Sequence, residues 1–347
     1  MKVAVVSPYA LDSPGGVQNQ VIEIAARLGE HGIESWVVGP GRTGPAGARL
    51  LGPGISIPAN GSLAPICLKP SVMRRVRESV EGADVIHLHE PLLPLVGWSL
   101  LRSAEVPTVG TFHADPSSLV RSIYRRLRPV ASRLLSKLSV VTAVSEVAAS
   151  AVRPLVPQIT IIPNAIDTAT SRSEIRRLAH RVTFLGRDEP RKGLDLLLSA
   201  WPAIKQSAPE AELDIMGTDR SDLIPGVRFL GRVDEIEKRE ALAAASIFVA
   251  PNLGGESFGI TLLEGMAAGC AVVASDLPAF TAVGGSAATY FPTGNATELE
   301  LAIVGLLQDV TRRESASEAA IRRSEDFDWA TVLPAYIHTY ELARRGH

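Results

Sequence analysis

The sequence predicts an α/β fold built from two doubly wound, Rossmann-like domains that face each other across a cleft. The chain has 347 residues, which at roughly 150 residues per domain gives about two domains. Hydrophobic residues make up 46% and charged residues 21%, so a core can form and wholesale disorder is excluded. Short apolar runs alternate with amphipathic stretches, and this alternation begins a second time in the C-terminal half.

In the N-terminal half, apolar runs of strand length predict a parallel sheet. The runs are Val3–Ser7, Trp36–Gly39, Asp84–His89, Thr108–Phe112, Val140–Ala143 and Thr160–Ile162. Apolar residues between Val17 and Leu28 recur at helical spacing, which predicts a helix between the first two strands. Strands that alternate with helices form parallel sheets that are covered on both faces.

The C-terminal half predicts a second sheet of the same kind. Its strands are Val182–Leu185, Leu213–Met216, Val227–Leu230, Ile247–Ala250 and Ala271–Ala274, and its helices are Leu194–Ile204, Ile236–Ala244 and Gly259–Ala268. The polar segment Pro163–His180 is interpreted as the linker. The predicted domains are therefore 1–165 and 166–327, followed by a helix over 328–347 for which crossing back to the first domain is one open arrangement.

Charge is distributed unevenly, although the formal net charge is only −2. Residues 1–165 contain 16 Lys and Arg against 11 Asp and Glu, and the remainder contains 19 against 26. A basic half suggests an anionic partner. Nucleic acid is the weaker interpretation, because aromatic residues make up only 5% and no nucleic-acid motif is present.

The cysteines and the apolar segments bear on the compartment. Two cysteines, Cys67 and Cys270, exclude a disulfide scaffold and favour a reducing compartment. The N-terminal apolar run that ends at Pro8 is shorter than a signal peptide requires, so it is interpreted as a strand. Pro and Gly interrupt the uncharged runs Leu50–Leu68 and Leu277–Thr297, so neither predicts a membrane span. The expectation is a cytoplasmic location.

Ligands of doubly wound sheets bind at the carboxyl ends of the strands, so the loops there are the candidate sites. Gly15 and Gly16 precede the first helix, where free amides and the helix dipole suit a phosphate; an ordinary glycine-containing loop is the alternative. Arg187 and Lys192 follow the first strand of the second domain, where cations can clamp a diphosphate. The alternative for this pair is a solvated charged loop.

The segment from Gly254 to Glu264 is the most specific one. Glu256 lies in a glycine-rich loop, and Glu264 follows eight residues later in a predicted helix. Carboxylates beside a phosphate site would repel the phosphate, so they are interpreted as acceptors of hydrogen bonds from sugar and ribose hydroxyls. The alternative is an ordinary capped helix with Glu264 on a solvent face.

These motifs resemble the retaining glycosyltransferases of family 4, which have two Rossmann-like domains in the GT-B arrangement. Glu256 and Glu264 match the paired-glutamate motif of that family. Longer stretches are similar to the bacterial phosphatidylinositol mannosyltransferases, which transfer mannose from GDP-mannose to phosphatidyl-myo-inositol at the cytoplasmic membrane face. The matching stretches are Pro14–Gln18, Ile86–Pro91, Thr111–His113, Glu189–Gly193 and Gly254–Ile260. The resemblance covers nearly the whole chain.

The resemblance implies a donor site with a role for each matching residue. Gly16, Arg187 and Lys192 would hold the diphosphate, and Glu264 the ribose. Glu256 would hold the transferred sugar, and His113 would contact that sugar near the reacting centre. Further contacts implied for the sugar are the backbone amides of Phe258, Gly259 and Ile260. The implied catalytic group is His113, Arg187, Lys192 and Glu256.

The resemblance also implies a guanine site, formed by the Val233 backbone, Glu235 and Lys238. Glu235 can accept from guanine N1–H and N2–H₂ and Lys238 can donate to O6, which favours GDP over UDP. The alternative is an i,i+3 surface ion pair between these two side chains. No covalent nucleophile is evident, and the resemblance implies attack on the same face as the departing phosphate, which would accept the proton of the acceptor hydroxyl.

No metal or other cofactor is expected. His87, His89 and Glu90 imitate a metal site, but the family needs no metal in its cleft and no Asp-x-Asp motif is present. On the acceptor side, Tyr9, Gln18, Asn60 and Ser62 match positions that hold the lipid head group. The chain departs from the family where it carries Pro65 and Cys67 in place of nearby arginines.

A basic amphipathic stretch predicts contact with an anionic membrane. The cations of this stretch are Arg121, Arg125, Arg126 and Arg128. A second basic cluster consists of Arg74, Arg75 and Arg77. The alternative is a solvated helix over a core. The expected function is a peripheral mannosyltransferase on the inner membrane face that uses GDP-mannose and phosphatidylinositol. Two alternatives stay open: another nucleotide sugar with another lipid or a soluble inositol phosphate, and a non-catalytic sugar-nucleotide-binding membrane scaffold.

Overall fold

The computed structural model describes residues 1–13, 15–59, 62–116, 118–171 and 175–346. The chain divides into two compact units. Unit 1 contains Met1–Ala165 and Trp329–His347, and unit 2 contains Ile166–Asp328. Each unit has its own parallel sheet and its own buried core.

The sheet of unit 1 has the strand order β3-β2-β1-β6-β7-β8-β9, with every pair parallel. Its strands are β1 (Lys2–Val6), β2 (Glu34–Gly39), β3 (Arg49–Leu50), β6 (Val85–His89), β7 (Thr108–Phe112), β8 (Val140–Ala143) and β9 (Thr160–Ile161). A separate antiparallel pair consists of β4 (Ile55–Ala59) and β5 (Ser62–Ile66). Because β1, β6 and β7 are parallel neighbours, the loops after them emerge at one edge.

Helices cover the sheet of unit 1. They are α1 (Gly16–Glu30), α2 (Val72–Ser79), α3 (Val96–Ser103), α4 (Ser118–Arg126), α5 (Arg128–Leu135), α6 (Glu146–Ser150) and α14 (Trp329–Arg345). The last helix returns to this unit because its apolar face, which includes Trp329, Leu333 and Tyr336, is buried in the same core as Val3 and Ile24. Burying an aromatic side chain of this size supplies several kcal/mol, on the order of 25 cal/mol per Å².

The sheet of unit 2 has the order β12-β11-β10-β13-β14-β15, again with every pair parallel. Its strands are β10 (Leu178–Leu185), β11 (Glu212–Met216), β12 (Val227–Gly231), β13 (Ala245–Ala250), β14 (Ala271–Ser275) and β15 (Ala288–Phe291). Its helices are α7 (Thr168–Ser171), α8 (Leu194–Ser207), α9 (Glu235–Ala244), α10 (Ile260–Ala267), α11 (Pro278–Gly284), α12 (Ala296–Gln308) and α13 (Val310–Ser324). Trp201 of α8 lies fully buried in the core.

The fold class predicted from the sequence is confirmed, while the short or edge strands β3, β4, β5 and β15 and several helices, among them α12 and α13, were not predicted. The predicted strands are all present, with ends shifted by up to four residues. The linker Pro163–His180 is shorter than expected, because α7 lies within it and β10 already begins at Leu178. The described residues contain no helix that combines the length and the apolar character needed to span a bilayer.

Candidate active site

Two loops of unit 2 meet at the carboxyl edge of its sheet. The β10 loop (residues 186–193) follows β10, and the β13 loop (residues 251–259) follows the neighbouring parallel strand. Gly193 has φ of 71°, and a Cβ on it would lie 1.9 Å from the carbonyl oxygen of Pro251. Only glycine permits this backbone approach, which brings the side chains of the two loops together.

Hydrogen bonds join the two loops directly. The Leu253 amide donates to the Arg191 carbonyl at 2.8 Å, and Arg191 Nη1 donates to the Gly255 carbonyl at 3.0 Å. The β10 loop is also held from its other side, because Arg220 forms ion pairs with Asp188 and Asp195. The backbone that carries the cations of the β10 loop is therefore held by contacts on two sides.

The central contact is an ion pair between Lys192 and Glu256, with Nζ 2.8 Å from Oε2. The same carboxylate oxygen accepts from Asn252 Nδ2 at 2.9 Å, and Arg191 Nη1 lies 3.8 Å away. The two charged side chains are only 13% and 15% exposed. Charged hydrogen bonds of this kind are stronger than neutral ones, so the glutamate is held in one orientation. Arg191 and Asn252 were not singled out in the sequence.

Arg187 lies at the exposed end of the same cluster. Its guanidinium is 58% exposed and pairs with Glu189, whose other oxygen is 2.8 Å from Arg191 Nη2. An exposed pair of this type adds little stability. Arg187 is therefore available to an incoming anion, and the solvated-loop alternative describes Arg187 better than it describes Lys192.

A helix N-terminus completes this part of unit 2. Helix α10 begins at Ile260, and its N-cap Gly259 has φ of 103°, where an added Cβ would lie 2.8 Å from the Phe280 ring. Phe258 is buried and meets Phe327 edge to face at 5.8 Å. The amides of the first helical turn have no intrahelical acceptor, and the helix dipole adds positive potential, so this end suits an oxygen-rich ligand.

Glu264, Lys238 and Glu235 form a second charged group. Lys238 Nζ lies 2.7 Å from Glu264 Oε1 and 2.8 Å from Glu235 Oε2. Burial raises the pKa of Glu264, while the nearby ammonium of Lys238 lowers it. Burial acts to lower the pKa of Lys238, but its two carboxylate partners leave the pKa raised above the ordinary value. Glu264 does not lie on a solvent face, because it is only 20% exposed and pairs with Lys238. The i,i+3 ion pair between Glu235 and Lys238 is present.

The positions of Glu235 and Lys238 follow from the capping of α9. Asp234 is the N-cap, and its carboxylate accepts from the amides of Ile236 and Glu237 at 2.8 Å, while the Asp234 amide donates to Glu237 Oε2 at 2.9 Å. This capping box sets where the helix begins. Val233 therefore lies just before the cap, half-buried and outside the helix.

In unit 1, His113 lies at the carboxyl end of β7 within a buried polar cluster. Its Nε2 is 2.6 Å from His89 Nδ1, and its backbone amide donates to Glu90 Oε1 at 2.7 Å. Burial lowers the pKa of His113 to about 3, against an opposing hydrogen bond with the Asn164 side chain. The imidazole is therefore neutral at physiological pH.

The expected acceptor residues are only partly described. Tyr9 is half-buried after β1, and burial followed by the charge of Glu90 raises the pKa of its phenol. Gln18 is buried in α1, where its Nε2 donates to the Ala10 carbonyl at 3.4 Å. Gly15 precedes the helix that starts at Gly16 in extended backbone geometry, and a Cβ on it would displace the end of the Gln18 side chain. Asn60 and the side chain of Ser62 lie outside the described residues.

The basic stretch forms two helices and not a continuous one. Pro129 lies in the first turn of α5 and Leu127 leaves helical geometry between α4 and α5. The apolar side chains around this break are solvent-exposed: Ile123 by 45%, Leu127 by 49% and Val130 by 51%. In α5, Leu134 and Leu135 are buried, so the alternative of a helix over a core holds for that part.

The arginines expected to contact the membrane differ in their exposure and in the partners that their charges have within the chain. Arg121 pairs with Asp115 and donates to the Pro116 carbonyl, so its charge is compensated within the chain. The remaining cations of this stretch, Arg125, Arg126 and Arg128, are exposed. In α2, exposed Arg74 pairs with Glu78, while the guanidinium groups of Arg75 and Arg77 donate to backbone carbonyls.

Within the described part of the chain, no group of three or more His, Cys, Asp or Glu side chains is placed to hold a metal ion. His87 and His89 do lie together, with ring centroids 4.2 Å apart. Three of their four ring nitrogens, however, face Thr111, Tyr340 and His113, at 2.6 to 2.8 Å.

Two family models match the chain. The model described as Glycosyltransferase Family 4 matches residues 14–170, and the model described as Glycosyl transferases group 1 matches residues 179–309. Among curated relatives, a phosphatidyl-myo-inositol mannosyltransferase of Mycolicibacterium smegmatis is 37% identical over 98% of this chain and 94% of that protein. One of the same name from Propionibacterium freudenreichii is 33% identical over 100% and 96%.

Solved structures share the fold at low sequence identity. Sucrose-phosphate synthase from Thermosynechococcus elongatus has a TM-score of 0.74 and 18% identity, covering 100% of both chains. Anabaena HepE in complex with UDP-glucose has a TM-score of 0.76 and 20% identity, covering 98% of this chain and 99% of that one. These likenesses support the GT-B fold expected from the sequence.

Proposed function

This chain belongs to the family 4 glycosyltransferases and is a hexosyltransferase, and on that premise we propose that it transfers mannose from GDP-mannose to phosphatidyl-myo-inositol with retention of configuration. The name of its near full-length relatives supports the acceptor and the sugar. The single observation that carries the proposal is the contact between Lys192 and Glu256 beside the N-terminus of α10. In this contact, the cation proposed to bind a phosphate lies next to the carboxylate proposed to bind the sugar hydroxyls.

The chemistry follows from where charge develops. Cleavage of the sugar C1–O bond leaves positive charge on the ring and negative charge on the departing diphosphate. Lys192 and Arg187 stabilise the departing diphosphate, and the α10 dipole adds to that field. Glu256 is proposed to bind sugar hydroxyls, with its Oε2 held by Lys192 and Asn252. The backbone amides of Phe258, Gly259 and Ile260 hold the same sugar, and the amide of Gly16 contributes to phosphate binding.

The nucleotide is proposed to be GDP because of the group around Lys238. Glu235 is 72% exposed, so its carboxylate can turn from Lys238 to the N1–H and N2–H₂ edge of guanine. Lys238 then donates to O6 while it stays paired with Glu264, which binds the ribose. The Val233 backbone supplies the remaining contact. Uracil has no such donor edge, and UDP is expected to bind less tightly.

The acceptor side and the membrane surface are proposed to lie in unit 1. Tyr9, Gln18, Asn60 and Ser62 are proposed to hold the inositol phosphate head. The exposed apolar side chains at the α4–α5 break can enter the lipid interface, while the neighbouring arginines meet anionic head groups at ~1 kcal/mol per cation. The protein is therefore proposed to work on the cytoplasmic face of the membrane, without a metal or other cofactor.

Charge reversal at the α4–α5 surface is expected to weaken membrane binding. The variant with Arg125, Arg126 and Arg128 changed to Glu should lose most of its co-sedimentation with phosphatidylinositol-containing vesicles at low salt, because each reversal replaces attraction by repulsion. The matched control reverses three exposed arginines elsewhere, Arg312, Arg322 and Arg345. Equal loss in both variants, or no loss in the first, would contradict this assignment of the surface.

The function itself is tested by a donor–acceptor matrix read by mass spectrometry. GDP-mannose, UDP-glucose and UDP-N-acetylglucosamine are each combined with phosphatidylinositol, phosphatidylglycerol or soluble inositol phosphate. We expect phosphatidylinositol plus one hexose only with GDP-mannose. Turnover of another pair would favour the alternative substrates, and nucleotide-sugar binding without turnover of any pair would favour the non-catalytic scaffold.

A further inference from the structure

Two buried imidazoles of unit 1 share one hydrogen bond at the carboxyl edge of its sheet. His89, the last residue of β6, and His113, directly after β7, have Nδ1 and Nε2 2.6 Å apart. Their rings stack with centroids 4.9 Å apart and an interplanar angle of 26°. Both side chains are buried, and His89 has no exposed surface. Such a short contact between two nitrogens requires that one of them carries a proton and the other does not.

The proton count in this pair follows from burial. Desolvation lowers the pKa of His89 well below its ordinary value and that of His113 to about 3. Both rings are therefore neutral near pH 7, and each carries a single N–H. The shared hydrogen bond then has two solutions: either His89 Nδ1–H donates to His113 Nε2, or His113 Nε2–H donates to His89 Nδ1. The two differ in the tautomer of each ring.

The other nitrogen of His89 decides between the two solutions. His89 Nε2 is buried and has no hydrogen-bond partner among the described residues. An unpaired buried N–H is rarer and costs more than an unpaired lone pair. The proton of His89 therefore resides on Nδ1, from which it is donated to His113 Nε2. His113 must then carry its own proton on Nδ1.

The backbone of His113 is fixed by the residue that follows His89. Glu90 Oε1 accepts from the amides of His113 and Ala114, both at 2.7 Å. Glu90 is buried and adopts φ of 48°, a left-handed conformation that is uncommon outside glycine. Two consecutive residues at the end of β6 thus hold both the ring and the main chain of His113.

We propose that His89 is a positioning residue that holds His113 as its Nδ1–H tautomer, so that the ring keeps one orientation in sugar transfer and does not act as a general base. The proposal rests on the function proposed above and on the sugar contact that the family resemblance implies for His113. With Nε2 occupied by His89, the ring presents no free lone pair to the acceptor hydroxyl. The proton of that hydroxyl then passes to the departing phosphate oxygen as the new C1–O bond forms.

His87 provides the matched control for a merely structural effect. It lies on the same strand, is equally buried and makes two hydrogen bonds, to Thr111 at 2.7 Å and to Tyr340 at 2.8 Å. Neither of its nitrogens faces His113. Replacing His87 by Phe therefore removes more polar contacts than replacing His89, but it should leave the tautomer of His113 unchanged.

The test combines ¹⁵N spectra of the histidine rings with steady-state kinetics. His113 is expected to show a protonated Nδ1 and an unprotonated Nε2 in the unaltered protein and in His87→Phe. His89→Phe should show mixed tautomers and a kcat reduced by about 10²-fold, the scale of a misplaced reacting group. His89→Asn should restore the single tautomer of His113 and the kcat, because its amide nitrogen can take the place of Nδ1. His89→Gln should restore neither, because its amide nitrogen extends toward the position of Nε2.

The outcomes separate this proposal from the function on which it rests. A protonated Nε2 on His113 in the unaltered protein would overturn it, and so would a kcat in His89→Phe no lower than in His87→Phe. The spectra of the unaltered protein need neither transfer activity nor a folded variant. Failure of mannosyl transfer would therefore refute the proposed function and leave the tautomer assignment to be decided by its own measurement.

Discussion

Replacing Glu256 by Gln is expected to reduce kcat for sugar transfer by about 10²–10³-fold while GDP binds with nearly unchanged affinity. Gln keeps the size of the side chain and can still accept from Asn252, but it loses the negative charge opposite Lys192. The sugar hydroxyls then bind a weaker acceptor, and the oxocarbenium-like transition state loses a nearby anion. GDP carries no hexose, so its affinity reports on folding of the site.

The matched control for this variant is Glu298→Gln, an exposed glutamate of the same unit at the start of α12. It should keep both activity and GDP affinity. Initial rates with GDP-mannose and titration calorimetry with GDP are the two measurements. Turnover of Glu256→Gln within a factor of a few of the unaltered protein would remove the role assigned to this carboxylate.

Replacing Lys192 by Met is expected to lower kcat by a similar factor and, in contrast to Glu256→Gln, to weaken GDP as well. The ammonium is the least exposed cation of the β10 loop, at 13%, and a charge contact of this kind contributes about 1.5–3 kcal/mol. The departing diphosphate would lose that contact in both ground state and transition state. Glu256 would also lose its nearest counter-charge.

Lys192→Arg separates charge from shape in the same experiment. Its guanidinium keeps the charge, so GDP affinity should recover in part, while kcat stays below that of the unaltered protein because the fork does not match the position of Nζ. Lys205→Met is the control, because Lys205 caps the carbonyls of Pro209 and Ala211 in the same unit. Unchanged GDP binding in Lys192→Met would contradict a phosphate contact.

The elements of the fold could be predicted because the sheets are parallel and buried. Strands covered on both faces appear as continuous apolar runs, such as Ile247–Ala250, which lies within β13. The strands that were missed are short or lie at edges: β3, the β4–β5 pair and β15. β3 has only two residues, and the other three strands contain Pro, Ser or Thr. Pairing with a neighbour decides the conformation of such strands more than their own pattern does.

The candidate site could be predicted where one loop carries the whole motif. Glu256, Gly259 and Glu264 lie within nine consecutive positions, and local spacing places them at one helix start. Arg191 and Asn252 were missed because their roles depend on the approach of two loops about sixty residues apart, which Gly193 permits. The hydrogen bond between His89 and His113 was missed for the same reason, since it needs the pairing of β6 with β7.

The α4–α5 surface shows how one residue changes an amphipathic prediction. A continuous helix from Leu119 to Leu138 would place all its leucines on one side, but Pro129 removes a backbone donor and restarts the helix. The apolar face is consequently divided into an exposed part around Leu127 and a buried part around Leu134. Spacing alone does not reveal such a division.

The central claim is that the Lys192–Glu256 pair binds the diphosphate and the hexose of one sugar nucleotide. The most direct measurement is a crystal structure with GDP-mannose bound. The account predicts a phosphate oxygen within hydrogen-bond distance of Lys192 Nζ, mannose hydroxyls on the Glu256 carboxylate and the ribose on Glu264. A nucleotide bound in full occupancy with none of these three contacts would contradict it.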